Sequence, residues 1–327
     1  MSGLPLTYAG VMYDRTAPLA TGAVKPRGID LNYLEFDYPP HIFNKMEHEL
    51  GFDTSEFGIS THIQKWAEKD YPFVFLPIFP SKVFRRSYMF VNRKSGIKSP
   101  KDLEGKRVGV PAWGQTAAIW QRGILANDHG VDMDKIHWVQ GGVYEYGGPR
   151  GTTVRGLLKE QMVEPTPQGK TLSGMIATGE IDALIGANIP DTFGKSPDVV
   201  RLFPDARAVD REHFKTSGVF PIMHAIAIRR DVWERNKWIA ESLYEAFDAA
   251  KNYALTKMKY PGSIRYMTPW IDDELDEIET LFAGDPWPSG VESNRKTLDK
   301  LAEYMVQQHM IVKAPNMDDL FLKVGGH

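Results

Sequence analysis

The sequence predicts an α/β protein of two lobes, each built on its own mixed sheet, with a cleft between them. Three observations predict it. At 327 residues the chain exceeds what one hydrophobic core usually organises. Short apolar runs with strand character alternate with helical stretches that close at glycine. A clean β-α-β unit begins near Ile97 and has strand signals on both sides of it, so the chain is expected to leave one lobe and later return. Residues 1–93 and 220–327 are assigned to the first lobe and residues 94–219 to the second.

In chain order, Leu6 to Met12 and Asp30 to Phe36 are strands separated by the turn formers Lys25, Pro26, Arg27 and Gly28. Pro39 and Pro40 open a helix from His41 to Leu50, with Gly51 expected at its C-cap. Thr54 to Ile59 follows as a strand, then a helix through Gln64 and Trp66, then strands Phe73 to Phe79 and Ser87 to Asn92. The central unit comprises strand Arg107 to Val110, loop Pro111 to Gln115, a helix of about 12 residues from Thr116, and strand Ile136 to Val139, the crossover a parallel pair requires. The glycine-rich, aromatic segment Gly141 to Arg150 is too long for a simple connector and is expected to be functional. Helix Leu172 to Thr178 ends at Gly179, before strand Ile181 to Gly186. After the last strand, Ala225 to Ile228, helices dominate, and Trp233, Trp238, Leu243, Phe247 and Tyr253 recur at roughly helical spacing as a core stripe.

Composition excludes several function classes. With 42% hydrophobic and 25% charged residues the chain is globular rather than disordered. A net charge of −3 supplies no basic field for nucleic acid. The absence of cysteine removes disulfides, thiolate nucleophiles and thiolate metal sites. No run approaches the roughly 20 apolar residues of a membrane span. The start, MSGLPLTYAGVMYDRT, lacks a basic region leading into an apolar run, so a cytoplasmic protein is expected. His41 and His48 share a helix face but form no His-Glu-x-x-His pattern, and Gly109 to Gly114 lacks the glycines of a dinucleotide loop. Neither a metal nor a nucleotide cofactor is expected. Self-association is left open.

The run Lys98, Asp102, Leu103, Gly105, Lys106, Val108, Gly109, Val110 with Thr116 opening a helix, and the later Gly179 to Ala183, resemble the second lobe of type II periplasmic binding proteins. Three further runs are similar to the 4,5-dihydroxyphthalate decarboxylases: Tyr13 to Thr16, Phe220 to His224, and Asp285 to Pro288 with Gly290 to Leu298. That resemblance spans nearly the whole chain. It implies a cofactor-independent cleft enzyme that protonates a ring carbon of a hydroxylated benzene dicarboxylate and releases carbon dioxide, giving 3,4-dihydroxybenzoate from 4,5-dihydroxyphthalate. The same scaffold also carries non-catalytic binding proteins for small organic or aromatic anions, and fold alone does not choose between the two. An enzyme of precursor biosynthesis is a third, weaker reading. The loop Ala112 to Gln115 and the run Ser60, Thr61, His62 depart from better-known family members, and both are expected to line the cleft.

A flat aromatic dianion calls for guanidinium forks and helix N-termini. Arg15, Arg85, Arg86 and Arg150 lie at expected strand ends or cleft loops, although most of the 39 Lys and Arg must be solvated surface. Gln115 and Thr116 present unpaired backbone N–H groups at a helix start, which favours a carboxylate. Trp113 either stacks on the substrate ring or plugs the lobe edge. Ser60 and His62 complete the expected binding set. For proton transfer the candidates are Asp14, Glu56, His62 and His224. Glu56 stands on an otherwise apolar strand, so a raised pKa is expected, unless it is taken by a salt bridge to an arginine. His224, closing the Phe220 to Met223 run, is the expected proton donor, with a satisfied core histidine as the alternative.

Overall fold

A computed structural model describes residues 3–145, 156–260 and 262–325. In chain order the strands are β1 Leu4–Gly10, β2 Ile29–Glu35, β3 Thr54–Gly58, β4 Phe73–Lys82, β5 Phe90–Asn92, β6 Arg107–Val110, β7 His137–Gln140, β8 Glu164–Pro165, β9 Ala183–Leu184, β10 Val199–Arg201 and β11 Ile222–Arg229. The α-helices are α1 Ala17–Ala20, α2 Pro39–Glu49, α3 Ile59–Lys65, α4 Thr116–His129, α5 Leu172–Thr178, α6 Ala206–Ser217, α7 Arg230–Arg235, α8 Ile239–Met258, α9 Ile271–Phe282, α10 Arg295–Gln307 and α11 Met317–Leu320.

Two compact units result. The first comprises residues 1–82, 222–298 and 315–327, and the second residues 83–221 and 299–314. Both boundaries differ from the sequence expectation for a physical reason. β5, assigned above to the first lobe, pairs with β9 and β10 in the sheet of the second unit. The segment 299–314 likewise joins the second unit, where Tyr304 packs edge-on against Trp120 of α4.

The first unit's sheet has the order β2-β1-β3-β11-β4. β1 pairs in parallel with β2 and β3, whereas β11 runs antiparallel to both β3 and β4. The carboxyl ends of β1, β3 and β4 therefore meet the start of β11 at one end of the sheet, the end where open α/β sheets collect ligands. On one face Leu6, Tyr8, Leu76, Ile226 and Ile228 pack with Leu243, Phe247 and Ala250 of α8. Trp238 and Tyr253, expected in that stripe, are 46% and 42% exposed. At about 100° per residue, Trp238 falls about 150° from the Leu243, Phe247 and Ala250 stripe and Tyr253 about 90° from it, on the flank.

The second sheet has the order β10-β5-β9-β6-β7-β8 and is also mixed, parallel from β9 through β8 and antiparallel at β5 and β10. Two mixed sheets bear out the expected fold class. One cap differs: Leu50, not Gly51, takes the left-handed conformation after α2, at φ 50°, with its N–H on the Met46 carbonyl. Gly51 N–H then reaches back to the Lys45 carbonyl, so both orphan carbonyls are satisfied one residue earlier than expected.

Candidate active site

In the first unit the chain leaves β1 at Gly10 and turns sharply. Thr16 Oγ1 accepts from the Tyr13 N–H at 3.1 Å and from the Tyr33 hydroxyl at 3.0 Å, pinning the turn. This aims Tyr13 at Glu56, the middle residue of β3. The Glu56 carboxylate is fully buried and accepts from the Tyr13 hydroxyl at 2.7 Å and from Val11 N–H at 3.2 Å. His224, on β11 opposite Gly58 and Ser81, places Nδ1 2.5 Å from Glu56 Oε1.

Burial alone would raise the Glu56 pKa, as the sequence led us to expect. The positive charge of His224 and hydrogen bonds from His224, Tyr13 and Val11 outweigh burial and hold it below the ordinary 4.5. Glu56 is thus an ionised acceptor rather than a proton donor, and its ion-pair partner is a histidine rather than an arginine. An ionised Glu56 requires the hydrogen on His224 Nδ1. The imidazole is 16% exposed, and Phe43 meets its ring edge-on at 5.0 Å. Burial, together with the Glu56 charge, drives the Tyr13 phenol upward, so it stays protonated as a donor.

Arg15 stands beside this trio. Its guanidinium lies 4.1 Å from the Tyr13 ring centroid and 4.5 Å from that of Trp287, and its Nε donates to the Pro80 carbonyl at 2.6 Å. Asp14 pairs with Arg15 at 3.0 Å and is exposed, so it steadies that cation. The Pro80 carbonyl is available because β4 bulges: from His224 to Ile226 on β11, its partner on β4 passes from Ser81 to Leu76. Pro77 and Pro80 donate no ladder hydrogen bond, and β4 is an edge strand, where proline is tolerated. Beyond the bulge, Ser81 hydrogen-bonds Tyr13, and buried Lys82 donates to Asn294 Oδ1 at 2.6 Å. Asn294 is oriented by donating to the Pro288 and Gly290 carbonyls, both at 2.8 Å. Burial pushes Lys82 down to about 7. Tyr13, Ser81, Lys82, Trp287 and Asn294 were not singled out as site residues from the sequence.

The other expected site residues lie as follows. Ser60 is buried in the first turn of α3. His62 is a core residue: its ring stacks 3.7 Å from that of Phe75, its Nε2 lies 2.7 Å from the Leu320 carbonyl, and burial lowers its pKa to about 3. In the second unit Arg86 is buried and held by Asp210 at 2.7 Å and Asp128 at 2.5 Å, so its charge is already matched. Arg85 is buried over the Tyr88 ring. Trp113 turns inward and meets Trp138 edge-on at 5.2 Å, and its backbone N–H donates to Gln140 Oε1 at 2.8 Å. Gln115 caps α4 in extended geometry and its Oε1 accepts from Ala187 N–H at 3.0 Å, with Thr116 next in the first turn. Arg150 lies outside the described residues. Among the described residues no cluster of three or more His, Asp or Glu is arranged to hold a metal ion, and no helix is long and apolar enough to cross a membrane.

Comparison with known proteins gives a consistent picture. Residues 50–149 match the family model described as NMT1/THI5 like. The fold is shared with the periplasmic aliphatic sulphonate binding protein SsuA from Escherichia coli, at a TM-score of 0.56 and 12% identity over 98% of both chains. Two relatives are nearer in sequence, both called 4,5-dihydroxyphthalate decarboxylase. That of Comamonas testosteroni is 34% identical over 303 residues, covering 92% of this chain and 91% of the relative. That of Pseudomonas putida is 36% identical over 216 residues, covering 66% and 83%. With a third of its residues shared across nine-tenths of both chains, the chain belongs to the 4,5-dihydroxyphthalate decarboxylase family.

Proposed function

We propose that this chain is a cytoplasmic, non-oxidative decarboxylase of a hydroxylated benzene dicarboxylate such as 4,5-dihydroxyphthalate, forming 3,4-dihydroxybenzoate and carbon dioxide. The observation that carries the reading is the buried hydrogen-bonded set Tyr13, Glu56 and His224 with the Arg15 guanidinium beside it.

In this reading the second ring nitrogen of His224, Nε2, delivers a proton to the ring carbon that bears the departing carboxylate. A hydroxyl para to that carbon feeds an electron pair into the ring as the C–H bond forms. The C–C bond then breaks, its electron pair restores aromaticity, and carbon dioxide leaves. One proton is consumed per carbon dioxide released, and no oxidant or reductant enters the balance. Glu56 holds the imidazole in one tautomer and steadies its charge, as a carboxylate does for an imidazole in acyl-transfer triads. Arg15, pinned between two aromatic faces, is suited to one substrate carboxylate because a planar fork offers two parallel N–H groups.

The test is incubation of the purified protein with 4,5-dihydroxyphthalate in deuterated water. The expected products are carbon dioxide and a 3,4-dihydroxybenzoate carrying one ring deuterium. Tight binding with no carbon dioxide would replace this reading with that of a binding protein. Within the enzyme reading, His224→Gln should depress turnover far more than affinity, and an equal loss in both would make His224 a positioning residue.

A further inference from the structure

We propose that the segment Asp285 to Gly290 is a strap that holds the Arg15 guanidinium in its anion-binding geometry, with Lys251 and Asp285 as the positioning residues that anchor it; the role given to Arg15 rests on the decarboxylase reading above.

All of these residues belong to the first unit. The strap leaves the end of α9, where Asp285 N–H donates to the Phe282 carbonyl at 3.1 Å, and reaches β4, where Gly290 N–H donates to the Pro77 carbonyl at 2.8 Å. Between those ends the chain has no regular structure, and Pro286 and Pro288 fix the backbone on either side of Trp287. Side chains tie the strap down along its length. Lys251 of α8 pairs with the Asp285 carboxylate and lies 3.4 Å from Asp248 Oδ1, which also accepts from the Ser289 hydroxyl at 2.7 Å. Asn294 donates to the Pro288 and Gly290 carbonyls, both at 2.8 Å. Asp285 Oδ1 accepts from the Trp287 backbone N–H at 2.9 Å, so the carboxylate that meets Lys251 also sets the chain direction at Trp287. The Trp287 ring then covers the Arg15 guanidinium at 4.5 Å.

Lys251 is 8% exposed, and a buried ion pair adds little net stability while fixing one arrangement of the groups it joins. What this arrangement fixes is a cation with a donor to spare. Arg15 Nε donates to the Pro80 carbonyl at 2.6 Å and Nη1 to Asp14 at 3.0 Å, whereas Nη2 has no hydrogen-bond partner among the described residues. A long arginine side chain loses rotamer freedom when it is held, and ordering it before an anion arrives removes that cost from binding. The planar guanidinium stacks on an aromatic face and keeps its edge for a carboxylate, so a ring clamped over it restricts its tilt without consuming its donors. Lys251 and Asp285 act through Trp287 and Arg15, and are not assigned to contact with the substrate.

The decisive variant is Asp285→Asn, which preserves size, leaves Lys251 its Asp248 partner, and sets an amide NH2 where Lys251 met a carboxylate oxygen. Calorimetric titration with phthalate should show affinity reduced about fivefold or more in Asp285→Asn and in Lys251→Gln, and Lys251→Arg should recover most of the loss. Because the strap acts through Arg15, the double variant Asp285→Asn/Arg15→Lys should bind phthalate within about twofold of Arg15→Lys alone. Catechol, which carries no carboxylate, should bind every variant alike, and circular dichroism should show an unchanged fold in Asp285→Asn, which carries the test if a Lys251 variant fails to fold. The inference is overturned if wild type fails to bind phthalate, if Asp285→Asn binds it as wild type does, if the double variant shows the product of the two single losses, or if phthalate and catechol weaken together. Carbon dioxide release from 4,5-dihydroxyphthalate separates the two readings. Release with an unchanged KM in Asp285→Asn sinks this inference alone, whereas strap-dependent phthalate binding without release sinks the enzyme reading alone.

Discussion

Replacing Glu56 by Gln isolates the electrostatic part of the proposed proton delivery, because the side chain keeps its size and loses only its charge and one acceptor. Three donors converge on the carboxylate: Tyr13 at 2.7 Å, Val11 N–H at 3.2 Å, and His224 at 2.5 Å. A glutamine offers one oxygen and an NH2 group, so at least one donor in this buried site faces another donor, at a cost of roughly 1–3 kcal/mol in stability. The protonated imidazole also loses its counter-charge. A hydrogen bond to a charged group is worth about 1.5–3 kcal/mol, which corresponds to a fall in kcat of about 10- to 150-fold. KM should move less than about threefold, since in the proposed reading Glu56 acts on His224 and Arg15 holds the substrate carboxylate. The assay is steady-state release of carbon dioxide with parallel urea unfolding. A variant within about threefold of wild-type kcat would refute the charge-steadying role, and so would a loss carried wholly by KM.

The same substitution has a pH signature with a definite sign. The folded state holds Glu56 below its ordinary 4.5, so the stability this group contributes is present above that value and lost as pH falls through the folded pKa. Glu56→Gln should therefore flatten the acid side of the stability profile.

Other outcomes follow from single residues. His62 is lowered to about 3, so the unfolded chain binds a proton first and stability should fall as pH drops from 6.5 toward 3, at about 1.4 kcal/mol per pH unit; His62→Gln should remove that slope in urea titrations across the range. Gly123→Ala should destabilise by about 1–3 kcal/mol in chemical denaturation despite the better helix propensity of alanine, because the new Cβ would run into the ring of Tyr304. Arg15→Lys keeps the charge but loses the planar stack between Tyr13 and Trp287, and should raise KM about tenfold with kcat little changed; an unaltered KM in steady-state kinetics would remove Arg15 from substrate binding.

What could be read from the sequence, and what could not, divides along a physical line. The strands around the first site were visible because their apolar runs are bounded by turn residues, and Glu56 stood out as a charge inside one of them. Its pKa was expected in the wrong direction because burial is a local inference, whereas the three donors that reverse it arrive from residues 11, 13 and 224. Lys82 and Ser81 were missed for a related reason. Pro80 looked like the end of a strand, but on an edge strand a proline forfeits no ladder bond, and the chain bulges and continues two residues further.

The arginines carry the argument furthest. Arg85 and Arg86 were chosen for lying near a strand end, and position along the chain says nothing about whether a carboxylate from a distant helix has claimed the charge, as Asp128 and Asp210 have claimed that of Arg86. Arg122 carried a readable signal that was passed over. The run Thr116 to Leu125 is apolar on every side of a helical wheel, and a helix that is apolar all round is buried, so a guanidinium inside it must be buried too. A buried arginine with no acid within a helical turn in sequence has only two outcomes: an acid supplied by the fold, or an uncompensated charge. In this chain, among the described residues, its hydrogen-bond partners are the neutral Trp113 carbonyl and Gln308 side chain, so the second outcome holds.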